Sequence, residues 1–402
     1  MPVVFVLVDA LRHDYLAYHK SAPFLSHCAE HGIHVETVKP SLGFCERVEI
    51  LTGVGFPENG YLSAIGREKN GVNPYALLKV VPPFISQSRI FRKVLGRIAR
   101  KLRLSLQPYE IPCQILPELG LTEDARSHQK TKAFPIESLV DVFAEAGKEI
   151  SWHFAALGVN NGSDEDRVCA LKKAFMQGAA DLYMLYLSPL DSIAHKYGPL
   201  SEETGLALRD VDNQISELFA DLKSHDPSVK LVVLGDHGMA DVAQVLDAEE
   251  ILRKVATELG LTAWKDYKYF LDSTTCRIWG GSKRFESNEN EFIGRLERSF
   301  GATGHWLDGE WSKELYGDYI WVCGEGTLVF PDFFHKGGLP YKGMHGYDPE
   351  RLSMRGLGLI YSEDGRIPSK TIPEGSLGDA SSTLCALMKV RSPRESKGTS
   401  WL

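Results

Sequence analysis

Leu231-Val232-Val233-Leu234-Gly235-Asp236-His237-Gly238-Met239-Ala240 is an apolar run, rich in β-branched residues, that stops abruptly at two side chains able to bind a metal. Four apolar residues bounded by glycine read as a buried central strand, and ligands in open α/β sheets gather where such strands end. Asp236 and His237 are therefore expected at a site. The bland alternative is an Asp-His pair that only hydrogen-bonds its own loop, so the reading depends on its company.

Two other segments end the same way. Val3-Val4-Phe5-Val6-Leu7-Val8 runs into Asp9, and Tyr183-Met184-Leu185-Tyr186-Leu187 leads through Ser188-Pro189 to Asp191-Ser192-Ile193-Ala194-His195. If Asp191 opens a helical turn, His195 falls on the same face four residues later, within reach of one cation. A third histidine stands in Gly343-Met344-His345-Gly346, where glycines leave backbone room for close approach.

Composition bounds the answer. With 402 residues, 43% hydrophobic and 24% charged, the chain reads as globular, long enough for one large core and a smaller subdomain. A net charge of -8 argues against a partner that is a nucleic acid polymer, which asks for a basic surface. Seven cysteines, odd in number and without Cys-x-x-Cys, point to free thiols in a reducing compartment. The first expected strand begins at Val3, with no charged leader ahead of it, and no apolar run reaches the roughly 18 residues of a membrane span. A cytoplasmic location is the resulting expectation.

Strands alternating with helices over 3–53 and 134–241 predict an α/β core: a mainly parallel sheet with helices on both faces. The expected domains are a core of 1–245 and 340–402, carrying a helical insertion at 61–135, and an α+β lid subdomain at 246–339. In the core, Pro40-Ser41-Leu42-Gly43-Phe44-Cys45-Glu46-Arg47 is a loop leading into a helix that ends at Gly53, a setting that favours an anionic oxygen or a thiolate. In the lid, Arg277, Trp279, Trp306, Trp311 and Trp321 either offer a substrate cationic and stacking surfaces or form the subdomain's own core.

The insertion breaks the rhythm. Pro74, Pro82, Pro83, Pro108, Pro112 and Pro117 interrupt it, and residues 89–103 carry seven cationic side chains with Ile90, Val94, Ile98 and Leu102 at helical spacing. The ordinary reading is an amphipathic helix packed on the core with a solvated basic face. The alternatives are contact with an anionic membrane surface and guidance of an anionic substrate.

In this order, Asp9, the 40–53 loop and helix, Asp191-x-x-x-His195, Gly235-Asp236-His237-Gly238 and Gly343-Met344-His345-Gly346-Tyr347-Asp348 resemble the alkaline-phosphatase superfamily, and within it the type I phosphodiesterase/nucleotide pyrophosphatase group. The resemblance implies a two-zinc site, with Asp191, His195 and His345 on one ion and Asp9, Asp236 and His237 on the other. Mn2+ is an alternative, since the ligand types suit both. It also implies a hydrolase of phosphoric esters, a phosphodiesterase or pyrophosphatase acting on a small nucleotide-like phosphorylated substrate. A phosphomonoesterase, a phosphoryl-group transferase and a catalytically lapsed metal-binding module stay open.

One position departs from the family pattern. The slot of the family's nucleophile falls on Gly43, which has no side chain. Cys45 and Ser41 are the candidates to replace it, and Arg47 resembles the arginine that follows the nucleophile by one helical turn in sulfatases. The Cys-x-Pro-x-Arg signature of formylglycine sulfatases is absent.

Overall fold

The computed structural model describes residues 1–67, 73–82, 85, 88–122, 128–154, 162–335 and 341–402. Pro83 and the expected boundary at 339–340 lie outside the described residues. The chain divides into two compact units: Met1–Tyr61, Asp124–Asp241 and Tyr341–Leu402 form the first, Leu62–Glu123 and Val242–Pro340 the second. The 62–123 segment thus belongs with 242–340 and not with the core.

The first unit is built on a seven-stranded sheet in the order Lys370–Ser376, Ile33–Lys39, Gly356–Tyr361, Lys230–Gly235, Val3–Val8, Leu182–Leu187, Ile150–His153. Gly356–Tyr361 runs antiparallel to both neighbours, and every other pairing is parallel. The expected α/β class, a mainly parallel sheet, is what the chain forms.

The continuous apolar strands have a simple cause. Val3, Phe5 and Leu7 feed one core, against Val48, Ile50 and Leu51 of helix Glu46–Thr52, Leu139 and Phe143 of helix Leu139–Glu145, and Leu384 of helix Asp379–Leu387. Val4, Val6 and Val8 feed the opposite core, against Leu25 of helix Pro23–His31, Leu171 of helix Asp164–Met176, and Leu208 and Ile215 of helix Glu202–His225. A strand covered on both faces has no polar side to show, so period-two alternation disappears.

The second unit holds a four-stranded antiparallel sheet in the order Tyr267–Leu271, Thr275–Gly280, Tyr319–Cys323, Gly304–Trp306. Helices Ala248–Glu258 and Glu289–Phe300 belong to the same unit. Arg277, Trp279 and Trp321 are fully buried within it. The Arg277 guanidinium donates to the Ile65 carbonyl at 2.8 Å and lies 4.4 Å from the Phe270 ring centre, so this residue and the two indoles are core, not substrate-facing surface.

Candidate metal centre

Three strands end level. Val8 is in register with Leu187 on one side and Gly235 on the other, so the residues that follow emerge together at one edge of the sheet. Asp9 and Asp236 are the first residues beyond two of these strands. The backbone turns at once after Asp9, Ala10 taking a φ of +58°, and the Ala10 N–H donates to Asp236 Oδ1 at 3.1 Å. The third strand is followed by helix Pro189–Tyr197, whose first turn carries Asp191 and whose last turn carries His195. Proline at its start suits a position where an N–H would have no partner in the helix.

His345 arrives by a separate route. Gly343–Met344 pairs antiparallel with Ala240–Asp241, which continues from His237. Gly343 is pressed against the Asp191–His195 helix so closely that a Cβ would stand 2.4 Å from the Ala194 carbonyl oxygen; only glycine fits. Its own carbonyl accepts a hydrogen bond from His195 Nδ1 at 2.8 Å. Segments 100 to 150 residues apart in sequence are thereby brought to one point.

The proton positions carry the chemistry. His195 Nδ1 faces the Gly343 carbonyl and His237 Nδ1 faces the Gly238 carbonyl, each at 2.8 Å. Carbonyls only accept, so this network assigns the proton of each neutral ring to Nδ1. Nε2 then faces a carboxylate, His195 Nε2 lying 3.1 Å from Asp191 Oδ1 and His237 Nε2 lying 3.1 Å from Asp9 Oδ1, and against the effect of burial these carboxylates raise each ring's affinity for a proton. Without a metal, a proton on Nε2 bridges each pair, and a metal cation would take that proton's place. The Asp191 Oδ1 atom is buried, and His345 Nε2 also lies 3.6 Å from it. These nitrogen and oxygen donors fit divalent metal cations.

Among the described residues, three sets of donor atoms lie within 4.8 Å of one another: Asp191, His195 and His345; Asp9, Asp191 and His237; and Glu46, His237 and His345. Five of the six ligands expected from the sequence fall in these sets. Asp236 does not. Its Oδ1 accepts from the N–H groups of Ala10 and His237 and lies 3.8 Å from His237 Nε2. Glu46, which the sequence reading passed over, enters beside His237 and His345. Its signal was faint: a carboxylate three residues beyond Gly43, at the first position of a helix.

The electrostatics express the same excess of buried negative charge. Burial pushes the Asp236 carboxyl up to about 7, and the charges of Asp9 and Asp191 add to this against the pull of His237. Burial opposes protonation of His237, yet Asp236 and Asp9 drive its affinity for a proton well above the usual histidine range. For Asp9, burial raises the value, but hydrogen bonds from His237 and Tyr186 and the Arg47 charge bring it below the ordinary carboxylate range. The Tyr186 hydroxyl donates to Asp9 Oδ2, another role the sequence did not suggest. His345 is held neutral, by burial first and then by the neighbouring His237 and His195. Protons here take up charge that cations would otherwise neutralise.

Gly43 has φ +115°, a conformation that side-chain-bearing residues rarely adopt. Ser41 is committed elsewhere: its N–H donates to Glu49 Oε2 at 2.8 Å, and its side chain also bonds this buried carboxyl. Cys45 packs into the hydrophobic core with Val48 and Phe5, and its thiol joins none of the three donor sets. Arg47 lies near the cluster, its guanidinium 5.9 Å from the Tyr186 ring centre and its charge acting on Asp9.

Known proteins extend this picture. A stretch of 77 residues is 35% identical to mouse (Mus musculus) ectonucleotide pyrophosphatase/phosphodiesterase family member 7, covering 19% of this chain and 18% of that protein. A 65-residue stretch is 37% identical to venom phosphodiesterase CdcPDE of Crotalus durissus collilineatus, covering 16% and 8%. The aligned stretches therefore span less than a fifth of these relatives. Over the whole fold, the chain superposes on murine ectonucleotide pyrophosphatase / phosphodiesterase 5 with a TM-score of 0.68 at 19% identity, covering 98% of this chain and 96% of that one. The human counterpart gives 0.69 at 17% identity, covering 99% and 97%. A family model described as type I phosphodiesterase / nucleotide pyrophosphatase matches residues 3–293, and the chain, with its level strand ends and clustered Asp and His donors, belongs to that family.

Proposed function

We propose that this protein is a metal-dependent hydrolase of phosphoric ester bonds, a phosphodiesterase or pyrophosphatase acting on a small nucleotide-like substrate through two zinc ions. The observation that carries the reading is the pair of histidines whose Nδ1 atoms are held by carbonyls and whose Nε2 atoms face Asp191 and Asp9. A murine relative of the same fold has been solved as an inactive variant in complex with AMP, which supports a nucleotide as the substrate class. Family membership supports the reaction class.

In this reading His195, His345 and Asp191 hold one cation, while His237, Asp9 and Asp236 hold the other, with Asp236 anchored by two backbone N–H groups. Bound divalent cations supply charge neutralisation at the phosphoryl centre and at the leaving oxygen. Tyr186 orients Asp9 through its hydroxyl. Arg47 adds positive charge beside the same carboxylate. With no side chain at Gly43, Ser41 bound to Glu49 and Cys45 in the core, the attacking oxygen is assigned to water rather than to a side chain. Glu46 stands in the donor cluster beside His237 and His345 as a further donor to a cation. Seven free cysteines support a reducing, cytoplasmic setting.

The test is hydrolysis of bis-p-nitrophenyl phosphate beside p-nitrophenyl phosphate, with metal content determined on the same sample, for wild type and Asp236→Ala. Diester turnover that disappears in the variant supports the reading. No turnover of either ester at full metal occupancy rejects it and leaves the lapsed metal-binding module, which Gly43 alone favours.

A further inference from the structure

Helix Arg89–Lys101 turns only part of its apolar surface inward and leaves a second apolar stripe outside. Its anchored side carries Phe91 and Leu95, half-buried, and Ala99, fully buried, while Arg92 donates to Glu110 Oε2 at 3.0 Å and to the Ile111 carbonyl at 2.6 Å. Four other aliphatic residues face out. Ile90 is 75% exposed, Val94 44%, Ile98 47%, and Leu102, just past the helix end, 64%. At positions i, i+4, i+8 and i+12 they form one stripe along the solvent side. The exposed Lys93, Arg97 and Lys101 lie on the flank of this stripe, with Arg100 beside them. Residues 89–103 contain seven cations and no carboxylate, in a chain whose net charge is -8.

We propose that this helix docks the protein on an anionic lipid surface. An exposed aliphatic stripe needs an apolar medium, and the cations beside it need dispersed negative charge in the same plane. The headgroup and acyl boundary of an anionic bilayer supplies both. A second copy of the helix would set the same cations against one another. No helix among the described residues is long and apolar enough to cross a membrane, so the contact is peripheral. The proposal goes beyond the hydrolase reading and does not depend on it.

The experiment is co-sedimentation of the full chain with phosphatidylserine/phosphatidylcholine vesicles, with phosphatidylcholine alone as the control. Binding is expected only with the anionic lipid, and it weakens as salt is raised. Each exposed cation near an anionic surface contributes roughly fivefold to partitioning, so Lys93→Glu with Arg97→Glu and Lys101→Glu lowers binding at least about a hundredfold. Val94→Ser with Ile98→Ser, which leaves the charges in place, lowers it at least about tenfold. All five side chains are exposed, so both variants keep the wild-type melting temperature; should the double variant not, Ile98→Gln alone replaces it. Absence of binding to anionic vesicles overturns the proposal, and so does binding that neither variant weakens. Concentration-dependent dimerisation that Ile98→Ser abolishes, without lipid binding, assigns the face to a second copy and overturns it as well.

Discussion

His237 Nε2 lies 3.1 Å from Asp9 Oδ1 while the other nitrogen of the same ring is held 2.8 Å from the Gly238 carbonyl oxygen. The ring is thus fixed with its basic nitrogen toward a carboxylate, and Asp9→Asn keeps the shape while removing the charge that holds a proton or a cation there. Bound metal is expected to fall from about two ions to about one per chain, with diester turnover lowered at least about a hundredfold. Elemental analysis and p-nitrophenol release on one preparation measure both.

Glu46 shares a donor set with His237 and His345. Glu46→Gln keeps the shape and removes the charge. Its apparent dissociation constant for Zn2+, measured by competition with a chromophoric chelator, should rise at least about tenfold while the circular dichroism spectrum stays the same. An unchanged constant would show that Glu46 is not a ligand.

The two sequence candidates for nucleophile separate by what each holds. Cys45→Ala removes a buried thiol from a core and should leave diester turnover within about threefold of wild type. Ser41→Ala strips a hydrogen bond from the buried Glu49 carboxyl, with an expected cost of about 1–3 kcal/mol in urea unfolding. Loss of all turnover in a folded Cys45→Ala protein would return the covalent role to that thiol.

His153, in the last position of strand Ile150–His153, is buried, and burial lowers its pKa from 6.5 to about 4. Between these values the unfolded chain binds a proton that the folded chain refuses, so stability falls as pH drops from about 6.5 toward 4. Urea midpoints at pH 7 and pH 5, with chelator present at both so that metal loss does not enter, should differ less for His153→Gln than for wild type. Equal differences would mean that His153 titrates normally.

Trp401 is the penultimate residue, yet it is buried. Its indole N–H donates to Asp379 Oδ2 at 3.2 Å, its backbone N–H donates to Thr383 Oγ1 at 3.0 Å, and its ring covers the sheet at Gly358 and Gly375. Trp401→Ala should cost about 3–5 kcal/mol, read as a lower urea midpoint with the same slope. A shift under about 1 kcal/mol would mean that the C-terminus frays in solution.

Reading from sequence worked best where local chemistry and global position agree. Asp9, Asp236 and His237 were legible because each follows an uninterrupted apolar run, and a fully buried parallel strand must end before polar chemistry can begin. Asp191 and His195 were legible through helical spacing. Strand Lys370–Ser376 was missed, because an edge strand with a proline and mostly exposed residues carries neither alternation nor an apolar run. The orientation of helix Arg89–Lys101 was also missed. Periodicity says which residues share a face, and contacts from elsewhere in the chain decide which face turns inward.

By itself, then, the sequence determined the fold class, the strand ends that carry Asp9, Asp236 and His237, and the Asp191–His195 pair, all set by burial and periodicity within about ten residues. Only the tertiary structure decided that His345 meets Asp191, that Glu46 joins His237, that Asp236 is held by backbone N–H groups, that Ser41 bonds Glu49 and that Cys45 packs into the core. These depend on strand register and on close approach at Gly343, contacts between residues far apart in the chain whose pairing no local pattern encodes.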